Sequence, residues 1–159
     1  MKPVIKEARK ENMKNILKLI KECERYDVEF AERYYKRYFS ESTDEITEKD
    51  KVYAAFDNEE VVGVIGYCRD YFATDYSYWL GWFVVSNKFR RNKVGTALLK
   101  QIETDLKKIR KRKIFVSTGD RNAPAKSFYT KNRFRTEGVI RDYYWTGEDQ
   151  LIMSKLLEP

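Results

Sequence analysis

Apolar and polar positions change rhythm repeatedly along this chain, and each change marks a new element. Residues 3–8 read as a first strand, after which Met13, Ile16, Leu17, Ile20 and Cys23 recur at helical spacing. Ala31, Tyr34, Tyr35 and Tyr38 repeat the same period, which predicts a second helix with an aromatic face. Residues 41–49 are polar and read as a loop. Residues 52–56 and 61–68 are strand-like runs around Asp57-Asn58-Glu59-Glu60, a composition suited to a hairpin turn. Residues 76–85, rich in aromatic and β-branched side chains, extend the sheet. Val94, Ala97, Leu98, Ile102, Leu106 and Ile109 then give the clearest helical period in the chain. A strand at 113–118, a short helix at about 123–131 and two closing strands complete the order βααβββαβαββ, a mixed α/β fold. No repeat, low-complexity tract or Pro/Gly-rich linker interrupts it, so residues 1–159 are expected to form a single domain. A domain of this size hides roughly 70% of its unfolded surface, enough for a core and a pocket.

Composition narrows the chemistry. The formal net charge of +7 suits a polyanionic partner, whether nucleic acid, an acidic surface or a phosphorylated cofactor. Its densest basic block, residues 107–113, falls at a predicted helix end, where cations complement the helix dipole. The chain has no histidine, so no Ser-His-Asp or Cys-His arrangement can be built, and any general base is a carboxylate, a tyrosine, a terminal amine or water. Cys23 and Cys68 lie far apart and form no CxxC pair, so no metal site or disulfide framework is expected. The charged start and the lack of a long apolar run predict a soluble, cytoplasmic protein with no membrane partner.

The informative junction runs through residues 82–99, where a strand ends, a basic loop follows and a helix begins near Val94. The first amides of a helix lack internal partners and carry the positive end of its dipole, which makes them a natural phosphate site. Gly95 lets a ligand approach the backbone, and Arg90, Arg91 and Lys93 add positive charge around it. A plain surface loop capping an ordinary helix would present the same local pattern.

Here the chain resembles the GNAT superfamily of acetyltransferases, whose signature, Arg/Gln-x-x-Gly-x-Gly/Ala, opens the helix after the fourth strand. Arg90 matches its first position and Gly95 its last, while Lys93 replaces its first glycine. A second segment, from Asn122 through Ala125, Phe128, Tyr129 and Lys131 to Phe134, resembles the family's Asn-x-x-Ala-x-x-Phe-Tyr-x-Lys-x-Gly-Phe, with Arg133 in place of the glycine. Two such motifs in order are more specific than either alone.

The resemblance implies a GNAT-like single domain with a central, mixed, mostly antiparallel sheet, splayed fourth and fifth strands, and about four flanking helices. It implies acetyl-coenzyme A as co-substrate, its pantetheine arm running along Phe83, Val84 and Val85 and its pyrophosphate resting on Arg91, Asn92, Lys93, Val94, Gly95 and Thr96, with Arg90 alongside. Asn122 and Lys131 match positions near the cofactor. Tyr129 matches the tyrosine that often stands beside the thioester sulfur, where its hydroxyl can protonate the departing thiolate. The acceptor cleft of relatives lies where this chain carries Tyr26, Phe30, Tyr34, Tyr35 and Tyr38, with Tyr143 and Tyr144 opposite. These rings suit an apolar acceptor or a cation, and core packing accounts for some of them.

The base is harder to assign. Histone-type relatives carry a fourth-strand glutamate where Trp79 stands, and relatives that acetylate protein N-termini often use a fifth-strand glutamate where Ser117 lies. Asp75, Asp120 and Glu148 remain as candidates, each with a solvated surface role as the competing reading. Neutralising a lysine amine of pKa about 10.4 at pH 7 costs about 4 to 5 kcal/mol, against about 1 kcal/mol for an α-amine of pKa about 8. The expected acceptor is therefore a low-pKa primary amine on a small molecule or a protein N-terminus, served by a monomer or homodimer. Two other classes compete. One is a coenzyme A-binding regulatory module that has lost catalysis. The other is a nucleic-acid-binding protein, disfavoured because the aromatics follow core periodicity and the main basic cluster coincides with the phosphate loop.

Overall fold

A computed structural model describes residues 3–23, 28–40, 50–69 and 76–157. Tyr26, Asp75 and the loop expected at 41–49 lie outside the described residues. The strands are β1 (Val4–Glu7), β2 (Lys51–Asp57), β3 (Glu60–Arg69), β4 (Ser77–Val85), β5 (Lys113–Gly119), β6 (Arg135–Trp145) and β7 (Glu148–Leu156). The helices are α1 (Met13–Cys23), α2 (Val28–Tyr38), α3 (Val94–Lys108) and α4 (Ala123–Lys131). The strands form one mixed sheet, as the resemblance implies, in the order β1-β2-β3-β4-β5-β7-β6. Contacts divide the chain into two compact units, residues 1–69 with 81–104, and residues 70–80 with 105–159.

In the first unit, β1 pairs antiparallel with β2, and β2 with β3. The β2–β3 turn is carried by Asn58 at φ 55°, a left-handed position that asparagine tolerates well. Helices α1 and α2 bury Ile16, Leu19, Ile20, Ala31 and Tyr35 in a cluster with Val52, Ala54, Val61, Val64 and Val84. The buried stripe of α1 is thus Ile16, Leu19 and Ile20, while the expected Met13, Leu17 and Cys23 pack at its margin. Leu19 completes the i, i+3, i+4 face with Ile16 and Ile20. Gly63 lets α3 approach β3 closely: a β-carbon there would stand 2.9 Å from Leu98 Cδ1 and 3.2 Å from Val94 Cγ1.

In the second unit, Ser77, Tyr78 and Trp79 of β4 pair in parallel with Lys113, Ile114 and Phe115 of β5. Trp79 stacks on Phe115 at 5.1 Å between centroids. Strand β7 pairs antiparallel with both β5 and β6. Helix α4 ends in a Schellman motif: Arg133 N–H donates to Thr130 C=O and Phe134 N–H to Tyr129 C=O, both at 3.0 Å. The left-handed residue of that cap is Arg133, at φ 69°.

Candidate active site

The loop expected to hold a phosphate lies in the first unit. A 3-10 turn over Asn87–Phe89 leaves β4, Arg90 is extended, and α3 starts at Val94 as its periodicity predicts. Arg91 and Lys93 both take left-handed backbone, at φ 69° and 60°. Such reversals turn neighbouring amides toward one side, the geometry of an anion-binding nest. The first ladder bond of the helix is Ala97 N–H to Lys93 C=O at 3.0 Å, so helix geometry leaves the Val94, Gly95 and Thr96 amides without an intrahelical acceptor. Arg90, Arg91, Asn92 and Lys93 are exposed around them. Donor amides and three cations at one helix start fit a diphosphate.

Immediately upstream, β4 departs from regular strand geometry. Trp82 sits at φ 47°, a left-handed position that interrupts the extended backbone of the strand. The alternation of Tyr78, Leu80 and Val84, all buried, skips Trp82, which is only half-buried. Val85 C=O accepts a long contact from Cys23 Sγ at 3.9 Å, and Ser86 N–H donates to Val62 C=O at 2.9 Å, holding the end of the strand to β3.

Against Trp82 stands the aromatic face of α2. The Tyr34 ring lies 6.5 Å from that of Trp82, 6.1 Å from that of Tyr38 and 5.2 Å from that of Tyr35. Phe30, by contrast, is 61% exposed. At the polar end of this wall Asp50 is only 7% exposed. Arg69 N–H donates to Asp50 Oδ1 at 3.3 Å, and the Tyr34 hydroxyl hydrogen-bonds the same carboxyl group. Burial pushes the Asp50 carboxyl up to about 6, although the two hydrogen bonds and the charges of Arg37 and Arg69 pull it back. Burial, followed by the Asp50 charge, holds the Tyr34 hydroxyl far above the ordinary tyrosine range, so it is a neutral donor. Tyr38 is also pushed up by burial, and its oxygen accepts the Val52 N–H at 3.2 Å.

The other expected residues belong to the second unit. Asn122 caps α4, its Oδ1 accepting the Ala125 N–H at 3.2 Å. Tyr129 is 6% exposed and lies between Phe128 and Phe134, with ring centroids 5.6 and 5.4 Å away. Lys131 is exposed in the last turn. Tyr143 is 54% exposed, and its ring meets that of the half-buried Tyr144 edge-on at 5.0 Å. Of the candidate acids, Asp120 is engaged in structure, since its Oδ1 accepts the Asp149 N–H at 3.0 Å. Glu148 Oε1 stands 3.0 Å from where a β-carbon on Gly119 would lie.

The sequence model of the acetyltransferase (GNAT) family matches residues 1–134 of this chain. The chain belongs to that family. Solved structures share the fold at low identity. A GNAT-family protein from Desulfovibrio desulfuricans superposes with a TM-score of 0.87 at 18% identity, covering 98% of this chain and 99% of its own. The ribosomal-protein-S18-alanine N-acetyltransferase of Escherichia coli gives 0.82 at 16% identity, covering 99% and 95%. An aminoglycoside 6'-N-acetyltransferase, solved in complex with coenzyme A, gives 0.74 at 20% identity and 98% coverage of both chains. At these identities the likeness shows the fold alone. No curated protein matches the chain in sequence.

Membership of the GNAT family gives the two departures from its signatures a physical meaning. Lys93 and Arg133 stand where the motifs carry glycine, and both adopt the left-handed backbone that glycine enters freely. The turns are kept and the strain is carried by long cationic residues. The residue that sequence reasoning misses is Asp50. A single acid ahead of a strand has no spacing that marks it, and only its burial against Tyr34 sets it apart. Among the described residues no helix is long and apolar enough to cross a membrane.

Proposed function

We propose that this chain is an acetyl-coenzyme A-dependent N-acetyltransferase that acetylates a primary amine by direct transfer within a ternary complex. Acetyl-coenzyme A supplies the activated acetyl thioester. The amides of Val94, Gly95 and Thr96, with Arg90, Arg91, Asn92 and Lys93, hold its pyrophosphate, and Phe83, Val84 and Val85 offer strand backbone to the pantetheine arm. Asn122, at the N-cap of α4, and Lys131, in its last turn, serve the cofactor. Tyr129 gives its hydroxyl proton to the departing sulfur. Tyr34, Tyr143 and Tyr144 receive the acceptor, a small-molecule amine or a protein N-terminus.

The observation that carries this reading is the turn ahead of α3, where left-handed Arg91 and Lys93 precede a helix start whose first amides have no intrahelical acceptor. Titration calorimetry with coenzyme A and acetyl-coenzyme A tests it, followed by a panel of amines, amino acids and short peptides with liberated thiol as readout. Saturable binding and amine-dependent thiol release are expected, with amino-terminal amines ahead of lysine side chains. Absence of saturable affinity for either form of the cofactor overturns the assignment. Trp79 and Ser117, at the positions where relatives carry a glutamate, favour a second reading, a coenzyme A-binding module without turnover. Binding without thiol release from any amine is its signature.

A further inference from the structure

Among the described residues, the aromatic wall of the first unit contains one buried carboxylate, and it is not idle in its surroundings. Asp50 closes the polar end of the wall, bonded on one side to the Arg69 amide and on the other to the Tyr34 hydroxyl. The Tyr34 ring reaches Trp82, which directly precedes the strand residues assigned to the pantetheine arm. One tyrosine therefore links a buried acid to the left-handed break in β4. We infer that Tyr34 and Asp50 form a proton relay for the acceptor amine, with Tyr34 touching the amine and Asp50 acting through it.

The inference rests on the acetyltransferase reading and supplies the base that reading lacks. As the ammonium of the acceptor gives an N–H proton to Tyr34 Oη, the Tyr34 O–H proton passes to an Asp50 carboxylate oxygen. The amine leaves with a free lone pair, Tyr34 ends neutral, and Asp50 ends as the acid, which later returns its proton to water. Tyr34 is suited to relay rather than ionise, because burial and the adjacent carboxylate both oppose a phenolate. The carboxyl of Asp50, raised to about 6, lies some two units below an α-amine of pKa about 8 and more than four below a lysine of pKa about 10.4. The relay thus favours the less basic amine.

Other charged and titratable groups around the pair are compatible with this role. From α2, Tyr34, Arg37 and Tyr38 act on or beside Asp50, and from β3 Arg69 does. Cys68 of β3 bears on Tyr34, and Glu7 of β1 on Tyr38. The two arginines favour the carboxylate, the form that accepts the proton.

The test compares wild type, Asp50→Asn and Tyr34→Phe. Both substitutions preserve size, and asparagine keeps an oxygen for the Arg69 amide. For wild type, kcat/KM should fall as pH drops through about 6, because protonated Asp50 cannot accept. Each variant should lose about a hundredfold in kcat/KM at pH 7.5, the range of a missing general base, and the acid limb should vanish in Asp50→Asn. Coenzyme A affinity should be unchanged in both. Carbon-13 NMR of labelled aspartate should show a carboxyl titrating near 6 that Asp50→Asn removes, a readout independent of turnover. Variants that keep the wild-type rate and acid limb overturn the relay while leaving the acetyltransferase intact. Should Asp50→Asn fail to fold, Tyr34→Phe decides alone. Wild type that releases no thiol with any amine overturns both the function and the relay.

Discussion

Phe134 donates its backbone N–H to the carbonyl of Tyr129 at 3.0 Å, and the two rings lie 5.4 Å apart between centroids. The helix cap and the packing of the proposed general acid are therefore one structure. Because the ring is held by its neighbours, Tyr129→Phe should keep the fold and remove only the hydroxyl. Turnover is expected to fall by about a hundredfold, with coenzyme A affinity unchanged by calorimetry. Undiminished kcat would take Tyr129 out of the mechanism.

The cap also makes a prediction about stability. Arg133 holds φ 69° without glycine's freedom, at a cost of about 1–2 kcal/mol for a left-handed residue. Glycine there relieves the strain but gains about 0.4–1 kcal/mol of unfolded-chain freedom, leaving a net stabilisation of about 0.5–1 kcal/mol. Urea unfolding of Arg133→Gly should show it as a higher midpoint at constant slope. Lys93→Gly, at φ 60°, should stabilise similarly while weakening coenzyme A binding a few-fold through the lost cation. If both substitutions destabilise, the turns are not strained.

Tyr35 offers a third test. It is 0% exposed, and among the described residues its hydroxyl finds no hydrogen-bond partner. An unsatisfied buried hydroxyl costs about 1–3 kcal/mol, so Tyr35→Phe should stabilise the fold by about 1 kcal/mol. Calorimetric melting should register this as a rise of roughly 2–4 °C in Tm for a chain of this size. A fall would reveal a partner, such as a buried water, for that hydroxyl.

The α/β order and the start of α3 were legible because they depend on local rules: period, helix starts and turn composition. Val94 as the first helical residue is an instance. Lys93 and Arg133 stand out in the sequence only as replacements of motif glycines, and the left-handed angle that each takes is seen in the folded backbone. Leu19 escaped because a helix face has margins, and neighbouring apolar residues compete for its centre. Trp82 escaped for a different reason: nothing in the run Gly81-Trp82-Phe83 signals that a bulky aromatic will take a left-handed angle inside a strand. Asp50 was the least legible, because its character comes from Tyr34 and Arg69, which are remote in sequence and meet it only after folding.

Arg91, Lys93, Arg110 and Arg133 all occupy left-handed turns. Exchanging the four for glycine would ease the backbone at each bend but lower the formal net charge from +7 by four. Folding economy and attraction for polyanions thus draw on the same positions in opposite directions. A variant selected purely for heat resistance would be expected to drift toward neutrality and to capture anionic ligands more slowly, most visibly at low ionic strength.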